Sequence, residues 1–363
     1  MFADMANLKI AVTLICFLLC YNMLQAQTRF TVSGLIKDAS TGETLIGASV
    51  KLGERQGNGT LSNTYGFYSL TAIPGKYTLQ VAYVGYETYR VEVDLSKDIQ
   101  LTVSLNPGNN LQEVVITSGN RKDQNVSSPQ MGLEKLNMAQ INSVPVLFGE
   151  KDMVKTLQLL PGVKTAGEGN TGFYVRGGAS DQNLILLDEA VVYNASHLFG
   201  FFSTFNSDAI KDVNLYKGGM PAQYGGRLSS TLDISMLDGN SKDYTFQGGI
   251  GLIASRLKVE GPIDSGKGSF MVSGRRTYAD AFLKLSSDTS LKKASLYFYD
   301  INAKANYHFD DRNALYFSGY LGKDVLGLKN LFGTNWGNTT ATLRFNHIFN
   351  SRLFSNTSVI YSD

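Results

Sequence analysis

The sequence predicts a mainly β chain whose last third forms strands of an antiparallel transmembrane β-barrel, and three observations carry that prediction. The first is the run Tyr297, Phe298, Tyr299, Asp300, Ile301, Asn302, Ala303, Lys304, Ala305, Asn306, Tyr307, His308, Phe309. Successive side chains of a strand point to opposite faces, so the odd positions form an apolar face while Asp300, Asn302, Lys304, Asn306 and His308 line the other. Aromatic residues sit at both ends of the apolar face, around Ile301, Ala303 and Ala305, as girdles bracket the lipid-facing band of an outer-membrane barrel. The second is the spacing of connections: turns after 262, 309 and 349 are short, those after 276 and 322 are long, which matches periplasmic turns and extracellular loops. The third is composition, 43 % hydrophobic and 18 % charged over 363 residues, which excludes both a disordered chain and a bundle of membrane helices. Taken alone, residues 297–309 also suit a soluble antiparallel sandwich.

From the start of the chain, residues 10–19 form the one long apolar run; Lys9 precedes it and small residues follow as far as Ala26. That is a secretory signal peptide over residues 1–26, too short to span a bilayer. Both cysteines, Cys16 and Cys20, lie within it, so the exported chain gains no disulfide or thiolate site. Residues 27–106 carry short alternating runs at 30–36, 48–52, 67–70, 77–84, 89–93 and 101–105, punctuated by glycine and proline, and predict a small antiparallel sandwich. Residues 107–120 begin as a polar linker. They continue as Leu111, Gln112, Glu113, Val114, Val115, Ile116 and Thr117, a β-prone stretch that reads either as an unpaired strand open to another chain or as the last strand of the sandwich.

Residues 121–240 mix helix and strand. An amphipathic helix is expected at 151–160, stopped by Pro161 and Gly162, with strands at 172–175 and 184–187. Barrel strands are expected at 244–251, 256–262, 268–276, 297–309, 314–322, 338–349 and 352–362, leaving 277–296 and 323–337 as long loops. Seven strands cannot close a barrel, and an open edge in hydrocarbon leaves backbone groups unpaired, so residues 241–363 read as a partial barrel and the sequence as a fragment.

Motifs for chemistry fail on context. Gly167, Gly169 and Gly172 satisfy a dinucleotide-loop spacing, but strand rather than helix follows them. Residues 261–267 have Walker-like spacing with Gly268 in place of the Mg-binding hydroxyl. His197, His308 and His347 lack metal-ligand spacing, and His308 reads as a lumen residue. Asp188 with Glu189 reads as a polar strand end, because acid–base work needs partners that the local sequence does not supply. No cofactor and no enzymatic activity are expected. A net charge of +2 gives no reason to expect nucleic acid.

Two resemblances bind these pieces. VSGLIKDASTGETLIGASVKL, NTYGFYSL and PGKYTLQVAYVGYE resemble the carboxypeptidase regulatory-like domain of transthyretin type, a non-catalytic accessory module. LQEVVIT, DMVKTLQLLPGV, YVRGGASDQNLILLDEAVVY and VNLYKGGMPAQYGGRLSSTLDIS resemble the TonB box and plug domain of TonB-dependent outer-membrane receptors, of the Bacteroidetes type with such an N-terminal extension. The resemblance implies a cell outer-membrane transporter importing a scarce extracellular ligand (iron chelate, cobalamin, oligosaccharide or peptide), with lipid around its barrel and energy from TonB. Glu113, Val114, Val115, Ile116 and Thr117 would be the TonB box, which pairs with a strand of periplasmic TonB. Arg176, Gly177 and Gly178 match the plug element whose arginine meets acidic residues of the barrel wall; Asp188 falls in the same matched stretch. Lys217, Gly218, Tyr224 and Gly225 match the last plug motif. Asn214 stands where many members have Glu, which puts one ionic contact in doubt, and Ser229 with Ser230 replaces a Gly-Gly. The alternative is a periplasmic or outer-membrane signalling or binding protein that uses the sandwich and plug as interaction modules.

Overall fold

The computed structural model describes residues 28–53, 59–108, 132–136, 141, 150–167, 170–328 and 331–363. The signal peptide expected at 1–26 and the stretch Glu113 to Thr117 lie outside the described residues. The chain divides into two compact units, one built on the sandwich and one on residues 38–44 together with everything from Asn106 on.

In the first unit, β1 (Phe30–Asp38), β2 (Ser49–Leu52), β3 (Gly59–Leu61), β4 (Phe67–Ala72), β5 (Lys76–Ala82), β6 (Tyr89–Asp94), β7 (Ile99–Gln100) and β8 (Val103–Leu105) form two sheets. One has the order β4-β1-β7 with β8 also on β1, and the other β3-β2-β5-β6. Between them Val32, Ile36, Val50, Leu79, Val81 and Leu105 make a buried core. The expected antiparallel pattern is broken at β7. After β6 the chain crosses to the other sheet and β7 enters parallel to β1, pairing Val32 with Ile99.

The second unit opens with a middle region: β9 (Leu133–Leu136), α1 (Met153–Leu157), β10 (Val163–Thr165), β11 (Phe173–Val175), β12 (Asn183–Leu187), β13 (Ala190–Val191), β14 (Ser196–His197), β15 (Phe202–Ser203), β16 (Ile210–Tyr216) and β17 (Ser230–Met236). Five strands form a sheet of order β13-β12-β17-β16-β9, in which β12 and β17 are parallel. Asp152 caps α1 by accepting from the Val154 and Lys155 amides at 2.9 and 3.3 Å, which satisfies orphan donors of its first turn. The helix is shorter than the expected 151–160. Leu159 and Leu160 donate to Thr156 and Leu157, three residues back, so the last turn tightens toward 3-10 geometry ahead of Pro161. Met153, Val154 and Leu157 pack on Val213, Leu215, Leu232 and Ile234.

Seven strands follow in one meander: β18 (Thr245–Ile250), β19 (Ala254–Ile263), β20 (Gly268–Thr277), β21 (Ser295–His308), β22 (Asn313–Leu328), β23 (Phe332–Asn350) and β24 (Leu353–Ser362), each antiparallel to the next. Between β20 and β21 the expected long loop holds two short helices, α2 (Ala279–Leu283) and α3 (Thr289–Lys292). Residues 323–337 are a correction. Residues 323–328 and 332–337 instead pair as two arms of a hairpin, with Lys323 opposite Gly337 and Leu328 opposite Phe332. At ~3.3 Å per residue, the 19 residues of β23 reach well beyond the 9–11 that cross a bilayer, so this hairpin stands clear of the membrane.

Burial in the meander is inverted relative to a soluble sheet. On β21 the buried side is Phe298, Asp300, Asn302, Lys304 and Asn306, and Ile301 on the other side is 45 % exposed. On β22 and β23, Ser318, Asp324, Asn338, Thr340, Thr342 and Arg344 are buried while Phe317, Leu321, Leu343, Phe345 and Phe349 are exposed. Water cannot favour that arrangement; lipid outside and a polar partner inside can.

Candidate functional site

The polar partner is the middle region, and the site is its seam with the strand wall. Three buried clusters hold it. In the first, Arg275 of β20 donates through Nε and Nη2 to Asp300 Oδ2 of β21 at 3.0 and 2.7 Å and through Nη2 to the Ser203 carbonyl at 2.8 Å. Its Nη1 lies 3.7 Å from Glu150. His197 reaches Asp324 Oδ2 of β22 through Nδ1 at 2.7 Å, with Nε2 3.5 Å from Asp300 and 3.4 Å from the Tyr320 hydroxyl. The imidazole stacks on Phe298 at 4.1 Å and 7°. Burial alone lowers the His197 pKa, but hydrogen bonds to Asp300 and Asp324 outweigh it and hold the group above the ordinary histidine value.

In the second cluster Lys304 of β21 lies 3.1 Å from Asp188 Oδ2 and 3.0 Å from Asp238 Oδ1, and donates to the Met236 carbonyl at 2.9 Å. Asp188 accepts from the Met236 amide at 3.0 Å, its own carbonyl accepts from Thr342 Oγ1 at 2.9 Å, and Asp238 pairs with Lys211 at 2.5 Å. Asp188 is therefore more than a polar strand end: it ties the middle region to the wall through Lys304 and Thr342. In the third, the Asn338 amide clamps the Asn194 backbone, accepting from N at 3.0 Å and donating to O at 2.8 Å.

The remaining plug-motif residues lie elsewhere in the middle region. Arg176 (φ 49°) is exposed, its guanidinium lying against Gly218, and it pairs with no carboxylate among the described residues. Gly177 takes φ 85°, a conformation glycine adopts at low cost. Gly178 faces Ser229, where a Cβ would come within 2.5 Å of Oγ. Lys217 reaches Glu134 and the Pro161 carbonyl, both at 2.9 Å. Tyr224 donates to Asp233 at 2.9 Å and packs its ring on Tyr216, while Gly225 is exposed with no near neighbour. Burial raises Asp233 to about 6, opposed by the Tyr224 hydrogen bond. Asn214 donates to Asp212 at 2.9 Å, and Asp212 in turn lies 3.6 Å from Lys135, so a carboxylate two residues upstream supplies an ionic contact on this strand. Ser229 and Ser230 donate to the Val175 carbonyl and to Asn183 Oδ1, both at 2.7 Å.

Sequence reasoning placed Asp300 and Lys304 on the inner face but missed His197, Arg275 and Asp324 as a set. The available signal was charge at inward strand positions, which hydrocarbon-facing positions do not tolerate.

A strand wall, apolar outside and polar inside, laid over a folded region of the same chain defines part of a plugged outer-membrane barrel. Comparison with known proteins agrees. Residues 32–116 match the CarboxypepD_reg-like domain and residues 147–230 the TonB-dependent Receptor Plug Domain. A TonB-dependent receptor, P39, of Formosa agariphila is 26 % identical over 146 residues, which is 37 % of this chain and 14 % of that protein. Among solved structures, the siderophore receptor PirA of Acinetobacter baumannii aligns at 17 % identity and TM-score 0.47 over 69 % of this chain and 41 % of its own. The outer membrane transporter YddB of Escherichia coli aligns at 13 % identity and TM-score 0.45, covering 64 % of this chain and 38 % of its own. The chain spans about two-fifths of those two solved proteins and 14 % of the curated relative. Its middle region thus carries the plug domain of TonB-dependent receptors, and the chain is similar to those outer-membrane proteins.

Proposed function

We propose that this chain serves energised import of a scarce extracellular ligand through the outer membrane, with the middle region as the gate. The observation that carries this is the seam: the inner face of the wall is occupied by a folded region held through buried charge clusters. Breaking one member of such a buried pair costs ~3–5 kcal/mol, so thermal motion does not clear the path and work must be supplied. TonB supplies it by adding a strand to Glu113, Val114, Val115, Ile116 and Thr117 and pulling on the region that follows. Arg176, Gly177, Gly178, Asp188, Lys217, Gly218, Tyr224 and Gly225 keep that region folded and seated. Residues 1–26 direct export, and the sandwich at 27–106 precedes the 107–120 linker, the gate at 121–240 and the strand wall from 241. The chain acts on its ligand by binding and passage, without covalent chemistry.

The test is disulfide trapping in cells. A Val115→Cys receptor is expected to form an adduct with cysteine variants of the periplasmic TonB domain, and Val114→Pro in the same chain to abolish it, because proline cannot donate to a ladder. If cysteines at none of positions 113 to 117 give an adduct, the coupling is wrong.

A further inference from the structure

β1 runs into a turn, Asp38–Thr44, that groups with the second compact unit. Asp38 Oδ1 shapes the turn by accepting from the Ser40 amide and hydroxyl, both at 2.6 Å, and from the Thr41 amide at 3.3 Å. The Asp38 amide donates to the Glu43 carbonyl at 2.7 Å, and Gly42 completes the reversal at φ 77°. A turn closed by its own aspartate is preshaped for docking. Its outer edge meets the stretch that joins β17 to β18. The Thr41 carbonyl accepts from the Ser241 amide at 2.8 Å and from the Ser241 hydroxyl at 2.9 Å. The Ala39 carbonyl accepts from Lys242, and the Glu43 carboxylate accepts from the Asp238 amide. Lys211 of β16 closes the other side, 3.4 Å from Thr44 Oγ1 and 4.0 Å from Glu43.

Asp238 links this turn to the seam. Its carboxylate is shared by Lys211 and Lys304, and its carbonyl accepts from Ser269 Oγ at 2.7 Å and Asn306 Nδ2 at 3.0 Å, both on the inner face of the wall. We propose that the Asp38–Thr44 turn is a latch on the gate: seated, it holds Asp238 where both lysines share it, and lifting it loosens the seam. The module that carries β1 and β2 thereby sets how firmly the gate is held. This rests on the reading of the middle region as a gate and adds a control to it. Glu43 suits a releasable contact. Burial pushes its carboxyl up to about 6 against the pull of Lys211, so the ionised side chain is seated at a cost.

Both cysteines precede residue 27, so an engineered pair in the exported chain is read without background. A Cβ on Gly42 would lie 3.3 Å from the Ser241 Cβ, close to the ~3.5 Å lower limit for a disulfide. Amide exchange of the intact chain in detergent micelles is compared for wild type, Glu43→Ala, Gly42→Cys with Ser241→Cys, and all three changes together. The cysteine pair in its reduced form controls for the strain of a side chain at φ 77°. Glu43→Ala is expected to speed exchange at least tenfold at residue 241 and at Asp188 and Met236, with β10 and β11 unchanged. In the triple variant the closed disulfide restores slow exchange at all three positions, and dithiothreitol abolishes the rescue. Unchanged exchange at Asp188 and Met236 in Glu43→Ala, an equal rise in β10 and β11, or a closed disulfide that restores residue 241 alone overturns the proposal. No TonB enters the measurement, so its outcome is separate from that of Val115→Cys trapping.

Discussion

Replacing Lys304 with Met tests how firmly the middle region is seated. Met keeps most of the side chain's length and removes its charge, so the loss is electrostatic rather than a cavity. Lys304 serves Asp188 at 3.1 Å and Asp238 at 3.0 Å, both buried. Asp238 retains Lys211 at 2.5 Å, which leaves Asp188 as the carboxylate without a cation. Orphaning a buried charge costs ~3–5 kcal/mol. Asp188 keeps the Met236 amide at 3.0 Å, so the lower end applies. About 3 kcal/mol is roughly a hundredfold rise in local opening. Amide hydrogen exchange over β12 and β13 in the intact chain reads it directly, because those strands flank Asp188 and owe their protection to the seam. The double variant Asp188→Asn with Lys304→Met removes the orphaned charge and is expected to regain most of the protection. Exchange unchanged in Lys304→Met, or a double variant no better than the single, would refute the assignment of this pair as an anchor.

Ile301→Lys places a charge on the outward face of β21 and is expected to cost ~2–4 kcal/mol of folding in lipid vesicles, measured by urea titration; a neutral result would mean that this face does not meet hydrocarbon. His197 gives a pH signature. Its folded pKa lies above the ordinary value, so its stabilisation is complete below the unfolded value of about 6.5 and is lost as pH rises through the folded one. The thermal midpoint of the wild-type chain should fall between pH 6 and pH 9 more steeply than that of His197→Gln, and parallel curves would count against the imidazolium bridge.

Strand parity over 297–309 was legible because strict alternation separates an apolar face from a polar one, and the aromatic residues at both ends of the apolar face point that face toward lipid. The partners of that stripe were not legible. His197 and Asp324 are 127 residues apart, and periodicity carries no information on which inward charge meets which. Residues 323–337 misled for a local reason. Gly322, Gly327, Gly333 and Gly337 punctuate them as turn residues would, but within the hairpin a Cβ on Gly337 would lie 2.0 Å from the Gly322 carbonyl. These two glycines therefore allow close strand approach rather than reversal.

The two-faced meander also constrains the order of assembly. Every pairing from β18 to β24 is between consecutive strands, so each hairpin needs only short loop closure and can form quickly. Yet a hairpin of β21 and β22 carries Asp300, Lys304 and Asp324 on one side and Ile301, Phe317 and Leu321 on the other. Neither bulk water nor hydrocarbon suits both sides at once. The middle region is made earlier, and its β12–β17 pairing joins segments some 47 residues apart, Asn183 with Ser230, the slower kind of closure. Once formed, it offers Asp188, His197 and the Ser203 carbonyl as a ready surface. Incoming hairpins can lay their polar sides against that surface as lipid takes the other, which makes the middle region a mould for its own wall.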